Sequence, residues 1–110
     1  ILPFFENNSL SVDLDLHPET IKIKQNYPNP FNPTTTLEYH LSKDAFVDIS
    51  VYDMLGNIIK TLVNDNQISG SKSVQWNATN SQGEPVSAGV YLYKIQADGF
   101  KQTRKMILLK

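Results

Sequence analysis

Apolar residues in this chain recur at every second position and never settle into a helical period. Leu10, Val12, Leu14 and Leu16 share one face of an extended segment. So do Leu37, Tyr39 and Leu41, then Val47, Ile49 and Val51, then Val74 and Trp76, and finally Tyr91, Tyr93 and Ile95. No 3.6-residue apolar period persists over about ten residues, so almost no helix is expected. Turn signals separate the runs: Pro18, Ser42-Lys43-Asp44, Asp53-Met54-Leu55-Gly56-Asn57, the stretch 77–85, and Asp98-Gly99. Gly56 is the expected positive-φ position of its turn, and Asp98-Gly99 has the form of a two-residue hairpin loop. Residues 58–63 read as a strand apolar on both faces, and a polar loop is expected across 64–71. About seven short strands with turns every 8–12 residues or so define an all-β, antiparallel sandwich.

The sandwich is expected to be immunoglobulin-like. Tyr91 fits the corner tyrosine of such domains, and Tyr93 stands where the second core cysteine would be. The chain has no cysteine, so there is no disulfide, no thiolate metal site and no thiol nucleophile. Trp76 follows the middle strands, which argues against the antibody type. At 110 residues there is room for one core but not for a catalytic layer with a separate lid. Residues 23–110 read as that domain. Residues 1–22 read as a linker, the end of a preceding domain or an extra strand, and the chain as a piece of something longer.

Charge and chemistry exclude several classes. A net charge of -1 leaves no basic surplus to hold a phosphate backbone, so no nucleic-acid partner is expected. No apolar run approaches the roughly 20 residues that span a bilayer, so no membrane insertion is expected. His17 and His40 lack a second ligand at metal spacing. Asp13 and Asp15 alternate with core positions, and Asp48 is separated from Asp53 by core residues. Residues 77–84 are rich in oxygen ligands but hold one carboxylate, and a tight loop needs Asn, Ser and Gly for its own backbone. Nothing orients a nucleophile toward a base. The expectation is a chain that is not an enzyme, with no metal and no cofactor.

Two stretches remain. In Gln25-Asn26-Tyr27-Pro28-Asn29-Pro30-Phe31-Asn32-Pro33-Thr34-Thr35 the prolines forbid helix and deny ladder donors. The segment is expected to be stiff and extended, with Tyr27 and Phe31 pinned into the core. It reads as a rigid piece that seals one end of the sandwich more readily than as a polyproline ligand. The other stretch is Lys105-Met106-Ile107-Leu108-Leu109-Lys110. Its Met106 and Leu108 face one way, Ile107 and Leu109 the other. A strand apolar on both faces is either covered or offered to a partner, by strand addition or in a groove.

These stretches, with Val51-Tyr52-Asp53-Met54-Leu55-Gly56, Trp76-Asn77, Gly83 and Gly89-Val90-Tyr91-Leu92-Tyr93, resemble the type A C-terminal sorting domain of the type IX, or Por, secretion system of Bacteroidetes. The stretch 76–93 is similar also to the immunoglobulin-like domain of the flagellar hook-capping protein. The resemblance implies a monomeric, seven-stranded sandwich fused behind an N-terminal cargo. It implies passage through the periplasm, recognition by the outer-membrane translocon, and cleavage by sortase-like processing machinery, with the cargo left at the cell surface or outside. Recognition would centre on Gly89 to Ile95, with Gly89, Tyr91 and Tyr93 foremost, and on Lys105 to Lys110, that is Lys105, Met106, Ile107, Leu108, Leu109 and Lys110. Pro28, Asn29, Pro30, Phe31, Pro33, Gly56, Trp76 and Gly83 would be structural. The alternatives are an accessory binding module for carbohydrate or surface attachment, with Tyr52 and Phe100 as its aromatic platform, and a structural spacer.

Overall fold

The computed structural model describes residues 21–109. Seven strands follow one another: β1 (Ile21–Ile23), β2 (Thr35–Leu41), β3 (Ala45–Tyr52), β4 (Ile58–Gln67), β5 (Gly70–Trp76), β6 (Gly89–Ala97) and β7 (Phe100–Leu108). They form two antiparallel sheets, one ordered β1-β2-β5 and one ordered β4-β3-β6-β7. There is no helix among the described residues. The alternating strand at residues 10–16 and the terminal Lys110 lie outside them. The boundary expected between residues 22 and 23 falls inside β1, whose Ile21 is fully buried.

The core lies where the alternation puts it. Leu37, Tyr39 and Leu41 of one sheet face Val47, Ile49, Val51, Tyr93 and Ile95 of the other, all buried. Burial of these side chains is worth about 1.5–3 kcal/mol each. At one end, the Tyr39 hydroxyl crosses the sandwich to donate to Gln67 Oε1. That contact reflects a departure from the expected polar loop at 64–71. Residues 64–67 continue β4 and residues 70–71 begin β5, leaving only Ile68 and Ser69 between strands. The polar side chains there mark the solvent-exposed part of edge strand β4, where Asn64 Nδ2 donates to Asp48.

At the other end, an aromatic cluster fills the space between the sheets. Trp76 lies 5.8 Å from Phe31 and 5.4 Å from Tyr91, ring centre to ring centre, and its Nε1 donates to Thr79 O. Tilted and edge-on arrangements of this kind suit the ring quadrupoles. Tyr91 makes the corner expected of it, donating from its hydroxyl to Ser87 O at 2.6 Å. Tyr93 is fully buried at the cysteine-equivalent place and is tied by its hydroxyl instead of by a disulfide. That hydroxyl accepts from Asn26 N at 3.0 Å and donates to Lys24 O at 3.2 Å. Burial raises the phenol's pKa, which keeps the donating proton in place.

Candidate recognition surface

The proline segment and the terminal strand meet. Tyr27 bridges to Thr36 of β2, while Phe31 bridges in parallel to Leu108 of β7, so the segment crosses from one sheet to the other and closes that end. It is bent rather than extended, with Tyr27–Pro28, Asn29–Pro30 and Asn32–Pro33 all cis. Phe31 enters the core, as expected, but Tyr27 does not: it is 79% exposed. The residue before it, Asn26, takes the inward position. Its side chain accepts from Gln25 Nε2 and donates to Pro28 O and Thr35 Oγ1. A buried amide is stable there because its hydrogen-bonding groups are partnered.

The outer edge of β7 is thereby occupied. Phe31 N donates to Ile107 O at 2.9 Å, and Leu109 N donates to Phe31 O at 2.8 Å. Ile107 N donates to Asn29 Oδ1 at 2.9 Å, and Gln25 Nε2 donates to Lys105 O at 2.9 Å. The Arg104 guanidinium reaches back to Ile23 O and Gln25 Oε1. An incoming strand would find the peptide groups of Ile107 already paired, so strand addition at the terminus, one of the two expected modes, has no edge to use there.

What stays open is the outer face. Gly89 opens β6 at φ +150, opposite Leu108, a backbone conformation that side chains rarely adopt. Tyr91 and Tyr93 point inward with Met106 and Leu108, all buried. Their alternates point outward: Val90 opposite Ile107, and Leu92 opposite Lys105. Ile107 is 37% exposed, Leu109 more so. Leu92 also neighbours Tyr52, which pairs with Ile58. Of the residues expected to be recognised, the structure therefore brings Lys105, Ile107 and Leu109 to the surface and buries Tyr91, Tyr93, Met106 and Leu108. Sequence reasoning held Val90 and Leu92 only as members of the stretch 89–95 and singled out Tyr91 and Tyr93 instead. Their signal was present, since β6 is apolar on both faces at its start. Tyr52 and Phe100 do not form a platform. Tyr52 lies under the Lys94 ammonium at 5.2 Å, whereas Phe100 packs against the core.

The β3–β4 turn borders this face. Asp53 Oδ1 accepts from Leu55 N and Asn57 N, both at 2.9 Å, and Oδ2 accepts from Asn57 Nδ2. Gly56 completes the turn at φ +91. These bonds, those from Asn57 foremost, hold the Asp53 carboxyl below its ordinary value of 3.8. A lowered native value means that the turn's contribution is complete above the ordinary value and is lost as pH falls through the lowered one. In an NMR titration the Leu55 and Asn57 amide shifts are expected to move with a midpoint below 3.8. A midpoint at or above that value would contradict the geometry. The residues 77–84 likewise spend their oxygens internally, with Asn80 Oδ1 accepting from Gln82 N and Glu84 N. No cluster of metal-ligating side chains occurs among the described residues.

An immunoglobulin-like sandwich whose last strand is locked by a proline-rich clamp defines the class. The family model for the secretion system C-terminal sorting domain matches residues 25–109, and the chain belongs to that family. It is a secretion signal domain of the type IX system, which marks proteins for export to the cell surface or beyond. Solved structures share the fold. Dimeric latent PorU from Porphyromonas gingivalis is 20% identical, with a TM-score of 0.68 over 84% of this chain and 10% of that one. PorZ, a surface component of the type IX secretion system of the same organism, is 20% identical, with a TM-score of 0.55 over 82% of this chain and 11% of that one. FLGD from P. aeruginosa is 22% identical, with a TM-score of 0.53 over 73% of this chain and 70% of that one. The chain thus spans about a tenth of PorU and of PorZ. No curated protein sequence matches it.

Proposed function

We propose that the type IX translocon reads the folded outer face of the β6–β7 hairpin, with Val90, Leu92, Lys105, Ile107 and Leu109 as its contacts. One observation carries this: the terminal run is apolar on both sides, its inner side fills the core, and its edge is already paired, so only the outer side is left to offer. Tyr91, Tyr93, Met106, Leu108 and Gly89 act by shaping the hairpin, and the proline segment by holding its end. The domain acts as a monomer behind an N-terminal cargo. A sortase-like protease separates the two in the residues ahead of β1, so that domain and junction divide before Ile21. A carbohydrate-binding role is less favoured, because Tyr52 and Phe100 lie on different sides of the sheet.

The signal role is tested with a fluorescent cargo placed ahead of the full chain. In a host with a working type IX system the fusion is expected outside the cell, and in the same host without the translocon it is expected in the periplasm. Equal distribution in the two hosts would remove the signal role.

A further inference from the structure

The apolar face does not end at the hairpin. Tyr52 lies beside Leu92 in the sheet, and the turn that leaves Tyr52 carries Met54 and Leu55, which are 61% and 87% exposed. Two large apolar side chains at a turn tip are costly to leave in water. Here the turn is also rigid, because Asp53 spends both carboxylate oxygens on Leu55 and Asn57, and Gly56 N donates to Asp53 O at 3.1 Å. Ile58, on the far side of the turn, is 60% exposed. A preordered knob loses little freedom on docking, which is how a short contact comes to dominate an interface.

The two charges that flank Leu92 on this face are both positive. Lys94 and Lys105 flank Leu92 on the outer side, and neither forms an ion pair among the described residues. The two nearby carboxylates keep their negative charge but accept hydrogen bonds from the chain's own neutral donors, Asp53 within its turn and Asp48 from Ser50 and Asn64, and neither pairs with Lys94 or Lys105. We infer that Met54 and Leu55 form the anchor of this surface, seated in an apolar pocket of a partner protein that is edged by carboxylates facing Lys94 and Lys105. The inference rests on the hairpin-face reading above and extends it to residues 52–58. Charge complementarity favours a protein with acidic side chains over a sugar, which would use hydrogen-bonding groups and an aromatic platform that this face lacks.

The test uses the cargo fusion with the full chain in three forms: unchanged, Met54→Ser with Leu55→Ser, and Lys94→Glu with Lys105→Glu. Because Met54, Leu55 and Lys105 are exposed and Lys94 is half-buried on the outer face, none of the four lies in the core, and circular dichroism and the denaturation midpoint are expected to stay close to those of the parent, which separates docking from folding. Export is expected to fall about tenfold or more in each double variant, as loss of an interface hot spot would give. If the unchanged fusion is not exported, the hairpin-face reading falls and this inference with it. If it is exported, and either double variant is exported as well as the parent, the inference alone is overturned. Vesicles of neutral and of anionic phospholipid serve as a second probe. Binding of the purified chain that the Met54 and Leu55 changes abolish would make the knob a lipid contact and would overturn the protein partner.

Discussion

Replacing Phe31 by alanine is expected to lower the stability of the domain by about 3–5 kcal/mol. The ring is buried in the core cluster, packed on Trp76, with its backbone bridged to Leu108 of the terminal strand. The loss should also be felt at a distance. Phe31 is the residue whose backbone clamps Ile107 and Leu109, so amide exchange at Leu109 should accelerate beyond the global change. Tyr27→Ala, four residues away in the same motif, is expected to shift stability by no more than about 0.5 kcal/mol, because its side chain is in solvent. Chemical denaturation of the two variants checks both values. A larger cost at Tyr27 than at Phe31 would reverse the assignment of the motif's core residue.

Deleting residues 105–110 is expected to have the largest effect of all. Met106 and Leu108 are fully buried, and truncation of such side chains costs about 2–5 kcal/mol each. The deletion also strips the partners of Phe31 N and O and the inter-strand bonds of the second half of β7. The sum is comparable with the whole stability of a small domain, about 5–15 kcal/mol. The truncated chain is therefore expected to lose its near-ultraviolet circular dichroism and its cooperative transition. A truncated chain that unfolds at the parent's midpoint would contradict this. It follows that failed export of such a truncation reports unfolding as much as lost recognition. Substitutions confined to the outer face are the cleaner probe.

The strands were legible because each buried set follows a period of two. Leu37, Tyr39, Leu41, Val47, Ile49, Val51, Tyr93 and Ile95 are all where alternation puts them. The corner role of Tyr91 and the turn at Asp98-Gly99, with φ of 55° and 82°, were legible from local chemistry. Three things were not. The strand character of residues 64–67 was hidden by polar side chains, since an edge strand can be polar where its face meets water. The exposure of Tyr27 was hidden because an aromatic among prolines suggests burial, whereas its neighbour Asn26 had a fully bonded polar niche to enter. The clamp between Phe31 and the chain's end was hidden because backbone pairing across some eighty positions leaves no local trace in sequence. The family resemblance joined the two stretches without giving the contact between them.

The same limit shaped the reading of the surface. Lys105 to Lys110 stood out as a run, but a run does not distinguish its two sides. The register does: Ile107 and Leu109 face out, while Met106 and Leu108 face in. Val90 and Leu92 then become part of the same surface through their pairing with Ile107 and Lys105, which their own apolar stretch could not show.

The most direct measurement is export of the cargo fusion carrying Leu92→Glu and Ile107→Glu, beside a purified sample of the same chain. Both residues lie on the outer face, and their replacement leaves Met106, Leu108 and the Phe31 clamp untouched. The expected result is a folded domain, with a denaturation midpoint near the parent's, whose cargo accumulates in the periplasm. Export at the parent's level from that folded variant would contradict recognition through the outer face of the hairpin.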